Sequence, residues 1–368
     1  MQLEQLVQTR SSGIRGAKAR VVLPKLSKWA NEKADKKNER YIVTGLENIE
    51  NLGGPALWIP KHEHWDDWHN LSAIWDKIGK PLINGVSRTD YFPNSSVKSF
   101  FTSLVMRNTL FVEVERVGLS NGTEAEKEKM RVKNRRQAEK IKGYYQKGIH
   151  MAVLPEGTTR TDGRIAEIKS MAYNVSHVII DGKTYVVPCV PVGNTIDFMA
   201  SNKPSVFFNI GEPFFYEKRS DSVKEDIAAF ASTIRNAFMD LNTVTISQLG
   251  GLYLTKLAIS KKEFMQIGPF EETVEQQAKE LNKAGYKVDP FLLGTSGRTY
   301  QVLGFYNKAI KMGYLNSNGR LHKPKILSTP KSTDYKKENM LLYCANRLLD
   351  IADNREDVSR ILRTHLHL

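Results

Sequence analysis

At 368 residues, with 40% hydrophobic and 26% charged, the chain can bury a full core in two or three domains. Its formal net charge of +14 favours anionic partners: nucleic acid, acidic lipid, phosphorylated metabolites or an acidic carrier protein. Two cysteines, Cys189 and Cys344, argue against a disulfide scaffold, and no stretch reaches the roughly 18 uninterrupted apolar residues of a membrane span.

Residues 1–40 read as a basic helical segment. From Gln5 to Asn31 there is no acidic residue, and Arg10, Arg15, Lys18, Arg20, Lys25 and Lys28 fall within it. A solvated helix pair, an organelle-targeting peptide and a membrane-surface arm all fit. With no secretory signal, the expectation is a cytoplasmic protein, soluble or peripheral on a membrane. Strands are expected at Tyr41–Gly45, Ala56–Ile59, Leu82–Val86, Leu110–Arg116, Met151–Leu154, Tyr185–Val192 and Ser205–Gly211. A helix is expected from Asp66 to Ile78 and another, strongly basic, from Lys129 to Lys147, after a polar connection over 118–130. Strands alternating with helices predict an α/β fold, a sheet with helices on its faces. Beyond residue 220 the period becomes helical, over Asp221–Leu241, Glu271–Ala284, Tyr300–Met312 and Tyr335–Ala352. Three segments result: 1–40, basic and helical; 41–220, the α/β core; 221–368, a helical C-terminal domain.

The chemistry-bearing residues cluster at strand ends. Pro55–Ile59 leads into Pro60-Lys61-His62, and Asp67 stands five residues after the histidine. Positions five apart on one helix diverge by about 140°. The two side chains can therefore meet only if His62 lies in the turn before the helix. A carboxylate on one ring nitrogen leaves the other free to take a proton from a hydroxyl. His64, Asp66 and His69 raise a metal site, but the zinc-protease pattern fails at Asp66 and no cysteine-pair spacing exists, so no metal is expected. Arg116 ends a strand and can reach a phosphate there, or lie on the surface. Pro155-Glu156-Gly157-Thr158 turns away from a buried strand. Its glycine permits close backbone approach, its carboxylate can take a substrate hydroxyl, and Arg160 and Lys169 add charge for a phosphate. The same residues would also make an ordinary polar turn. The basic helix lacks interleaved aromatics apart from Tyr144 and Tyr145 and no nucleic-acid signature accompanies it, so no nucleic-acid partner is expected.

Taken in order, His62-x4-Asp67, the strand to Arg116, Leu154-Pro155-Glu156-Gly157-Thr158 and Val187-Pro188-Cys189-Val190-Pro191 resemble the four blocks of the glycerolipid acyltransferases. The resemblance spans roughly residues 40–215. Val43–Asn48, Trp65 and Val86-Ser87-Arg88 are also similar to that family. Two departures stand out: Thr159 replaces the usual arginine, with Arg160 one place on, and Lys61 replaces the usual asparagine. Thr245–Leu249 and Glu338–Leu349, with Tyr343-x-x-Asn346, are similar to the tail of glycerol-3-phosphate acyltransferases. The resemblance implies a mixed sheet and a fatty acyl transfer from acyl-CoA or acyl carrier protein to glycerol 3-phosphate or a close phosphorylated acceptor, without metal or bound cofactor. The alternatives are a lysophosphatidic acid acyltransferase and a non-catalytic protein that binds nucleic acid or a lipid surface on the same scaffold. It implies His62 as base, Asp67 as its partner, and Arg116, Arg160 and Lys169, with Arg88, as phosphate contacts. Glu156, Gly157 and Thr158 would order the acceptor, and an anionic membrane surface would be a partner.

Overall fold

The computed structural model describes residues 40–63, 67, 71, 84–88, 111–114, 122–157, 160, 162–180, 183–201, 204–260, 262–329 and 339–365. The expected N-terminal helical segment, most of the helix after His62, Trp65, Arg116 and Thr158 lie outside these residues, as does the side chain of Arg88.

Among the described residues the N-terminal part holds β1 (Arg40–Thr44), β2 (Leu57–Pro60), β3 (Asn84–Arg88), β4 (Phe111–Val114), α1 (Glu124–Tyr145), β5 (Met151–Val153), α2 (Met171–Ser176), β6 (His177–Ile180), β7 (Lys183–Val186), β8 (Cys189–Asp197) and β9 (Ser205–Ile210). Seven of the strands form one mixed sheet in the order β1-β9-β8-β2-β5-β3-β4, antiparallel only between β8 and β9. Every residue of β2, β5, β8 and β9 is buried. Both faces of these central strands are covered, which explains their near-continuous apolar sequence.

Two features differ from the sequence pattern. Tyr185–Val192 is not one strand: β7 stops at Val186 in a hairpin with β6, and β8 begins at Cys189. Pro188 lacks an N–H for the ladder, and its carbonyl accepts from the Leu57 N–H at 2.9 Å. The stretch 118–130 is not all connection either, because α1 starts at Glu124. Thr123 and Glu126 form a capping box there, each side chain accepting from the other's backbone N–H.

The C-terminal region is helical: α3 (Val223–Asp240), a short strand pair β10 (Thr243–Val244) and β11 (Lys287–Val288), α4 (Ile246–Ile259), α5 (Ile267–Lys283), α6 (Pro290–Leu293), α7 (Thr295–Lys311), α8 (Lys323–Ile326), α9 (Met340–Ala352) and α10 (Glu356–His365). In α4 every residue but Lys256 and Ile259 is buried. A Cβ at Gly251 of α4 would stand 2.7 Å from the Leu341 carbonyl, so glycine lets α4 and α9 approach closely. One hydrophobic core runs from Ile49 to Leu362, continuous across residue 220.

Candidate active site

Sheet register assembles the site. Trp58 of β2 pairs with Ala152 of β5 and with Val190 of β8, all parallel. Four residues on from each member of that row stand His62, Glu156 and Asn194. Parallel strands advance together, so these three arrive side by side at the carboxyl edge of the sheet, where ligands of open α/β sheets bind.

His62 lies in the turn after β2, and Asp67 is helical. The His62 Nδ1 is 2.8 Å from Asp67 Oδ2. That oxygen also accepts the Glu63 N–H at 2.6 Å, while Oδ1 accepts from Asn194 Nδ2 at 2.9 Å. Asp67 is fully buried and His62 has a side-chain exposure of 9%. A carboxylate so supplied with donors is held in position. It fixes the Nδ1–H tautomer and leaves Nε2 as the basic nitrogen.

Glu156, expected to order the acceptor and its loop, is occupied by backbone donors. It is 1% exposed, and its two oxygens accept backbone N–H groups, from His62 at 2.9 Å and Ala166 at 2.7 Å. It thus pins the histidine turn to the loop after β5. Burial raises its pKa, opposed by the nearby Lys61 ammonium and by these two N–H groups. Gly157 takes the left-handed conformation at φ 63°, letting the chain reverse directly after it.

Arg160 and Lys169 are both about half exposed, paired with near neighbours. Arg160 grips Asp162 through two nitrogens at 2.8 and 2.5 Å, and Lys169 pairs with Glu167. The pairs sit in solvent, where such contacts contribute ~0–1 kcal/mol, so an incoming phosphate can exchange them.

Beneath His62 lies a charged layer that sequence reasoning missed. Lys61 and Arg347 both pair with the buried carboxylate of Glu63. The Tyr343 hydroxyl donates to the Glu63 carbonyl at 2.8 Å, and Arg347 donates to the Tyr343 oxygen at 3.0 Å. Burial pushes Lys61 down to about 8, partly offset by Glu156, and pushes Arg347 down to about 9. Lys61, Arg347, Asn242 and Gly163 help line a cavity with room for about one water molecule. The available signal was a tyrosine and an arginine four apart on a mostly apolar helix. Asn194 had no signal beyond its place in a strand.

Among the described residues no group of three or more His, Cys, Asp or Glu side chains is arranged to hold a metal ion, and no helix is long and apolar enough to cross a membrane.

No curated protein matches the chain. Among solved structures it is similar to the 1-acyl-sn-glycerophosphate (LPA) acyltransferase PlsC from Thermotoga maritima. Identity is 17% and the TM-score 0.42, over 65% of this chain and 86% of that one. The Acyltransferase family model matches residues 40–192, the stretch that carries His62, Asp67 and Glu156.

Proposed function

We propose that the protein is an acyltransferase moving a fatty acyl group from the thioester of acyl-CoA or acyl carrier protein to a hydroxyl of glycerol 3-phosphate or a close phosphorylated acceptor. The observation that carries the reading is the His62–Asp67 contact at the sheet edge, inside the segment that the Acyltransferase family model matches. His62 Nε2 takes the proton of the acceptor hydroxyl as its oxygen attacks the thioester carbonyl. The tetrahedral adduct collapses, the C–S bond breaks, and the proton passes from the imidazolium to the departing thiolate. Asp67 stabilises the imidazolium and keeps its orientation, the part its counterpart plays in a Ser-His-Asp triad. No enzyme nucleophile is required.

The acceptor phosphate falls to Arg160 and Lys169, together with Arg116 and Arg88. The net charge of +14 suits phosphate, coenzyme A, acidic carrier protein and an anionic membrane surface alike. The preference for glycerol 3-phosphate rests on the tail elements around Thr245 and Tyr343.

The test is acyl transfer from palmitoyl-CoA and palmitoyl carrier protein to radiolabelled glycerol 3-phosphate, dihydroxyacetone phosphate or lysophosphatidate. Labelled product is expected with the first acceptor, with loss of about a thousandfold or more in kcat for His62→Ala. Product only from lysophosphatidate moves the acceptor assignment. No product from any pair, or full activity in His62→Ala, rejects the mechanism.

A further inference from the structure

Helix α9 grips the catalytic apparatus at two points. Tyr343 and Arg347 are four residues apart and share a face of it. All three functional groups of Glu63 are engaged: its N–H donates to Asp67, its carbonyl accepts from Tyr343, and its carboxylate pairs with Arg347 and Lys61. Arg347 also donates to the Ile196 carbonyl at 3.3 Å. One residue therefore links α9 to the carboxylate that orients His62. The second point is Asp350, which accepts the Ile165 N–H at 2.9 Å and the Arg235 guanidinium at 2.8 Å. Ala166, the next residue, supplies the N–H that holds Glu156.

Building on the acyl-transfer reading above, we propose that Arg347 and Tyr343 are positioning residues for His62, acting through Glu63. Arg347 also sets the charge balance in which His62 works. Among the described residues, the charged groups around the histidine turn are Lys61 and Arg347 against Glu63, Asp67 and Glu156, with Asp350 on the next turn of α9 paired to Arg235 and Arg164. When His62 takes the acceptor proton, it and the two cations face the three nearest carboxylates, charge against charge. Without Arg347 the layer holds an excess of negative charge. That excess draws a proton towards the histidine turn. Glu63, left with Lys61 and Tyr343, also fixes less firmly the N–H that it gives to Asp67.

Three variants separate positioning from mere support. Arg347→Met should lower kcat by about a hundredfold with KM changed much less, because a misplaced base affects the chemical step. The acidic limb of its kcat/KM profile should move up by about half a pH unit or more. Arg347→Lys should restore the limb but only part of kcat, since a compact ammonium lacks the spread, planar fork with which the guanidinium reaches Glu63, Tyr343 and Ile196. Tyr343→Phe should lose about tenfold in kcat with the limb unmoved, because it removes a hydrogen bond but no charge. If Arg347→Met does not fold, the other two variants carry the test. Wild-type kcat in both Arg347→Lys and Tyr343→Phe, or a wild-type limb in a folded Arg347→Met, overturns the proposal. NMR titration of the His62 ring needs no substrate, so it reads the inference even if no acyl acceptor is found. The midpoint should rise in Arg347→Met, or in Arg347→Gln if the methionine variant fails to fold. An unchanged midpoint in the folded variant overturns the charge-balance claim whether or not the protein transfers acyl groups.

Discussion

A carboxylate on one ring nitrogen fixes a histidine's tautomer and orientation, and here the carboxylate is itself held. Asp67 takes a backbone N–H and an amide N–H besides the imidazole. In Asp67→Asn an amide nitrogen must face one of these donors, and the preferred tautomer is no longer enforced. Loss in kcat of about a hundredfold to ten-thousandfold is expected, with KM nearly unchanged, in the acyl-transfer assay. An Asp67→Asn enzyme within threefold of wild type would detach the carboxylate from the chemistry. The cysteines contrast with this centre. Both are buried and free, with Cys189 pushed up to about 12 by burial and Cys344 pushed well up by the same cause. A thiol that stays protonated is a poor nucleophile. Aromatic-disulfide labelling at pH 8 should therefore find no reactive thiol in the native protein and two after unfolding. Rapid native labelling of either would contradict the burial.

At the scale of elements, the loop after β5 turns at Gly157 and docks on α9 at a second glycine. Gly163 sits at φ 79°, and a Cβ there would collide with the Tyr343 carbonyl of α9. Gly163→Ala must both adopt a left-handed conformation and push the loop from the helix. A loss of roughly 1–3 kcal/mol is expected in urea unfolding, with a fall in kcat as the Ile165–Asp350 and Ala166–Glu156 contacts loosen. An alanine variant with wild-type stability and activity would show that the loop can dock elsewhere. The elements around this joint were unequally legible. The central strands announced themselves as apolar runs, and α3, α5 and α9 by helical spacing. Helix α4 did not, because a helix buried on every side shows no amphipathic period. Thr123-Glu124-Ala125-Glu126 was a readable start signal for α1, hidden by the polar composition around it. The His62–Asp67 pair could be read because its partners are five residues apart and the later blocks follow it in a recognisable order. The Glu63–Tyr343–Arg347 layer could not, because its partners are 280 or more residues apart and nothing local couples a carboxylate to a distant helix.

At the scale of the whole molecule, the sheet and the C-terminal helices share a core, and polar contacts tie them inside it. Arg40 of β1 reaches Asp289 at 3.2 Å, and Asp289 also accepts from Gln301 of α7. Asp197, at the end of β8, binds the Ser247 N–H and hydroxyl at the start of α4. This carboxyl is fully buried, and its second oxygen has no hydrogen-bond partner among the described residues. Burial pushes its pKa up to about 7; Ser247 opposes the rise and the nearby Asp289 adds to it. A carboxyl whose folded pKa lies above its unfolded value binds its proton more tightly when folded. Its contribution to stability is complete below about pH 4 and fades as pH rises through 7. The full range corresponds to at most about 4 kcal/mol. Asp197→Asn stays neutral at every pH and keeps an oxygen for Ser247, so it should lose this slope. The whole chain's positive charge imposes its own pH dependence on both proteins, and the informative quantity is therefore the difference between them. Urea unfolding at pH 4, 5.5, 7 and 8 should show Asp197→Asn gaining on wild type across the first three points and levelling above pH 7. Parallel curves would mean that the Asp197 carboxyl is ionised at no unusual cost and that water reaches the joint between sheet and helices.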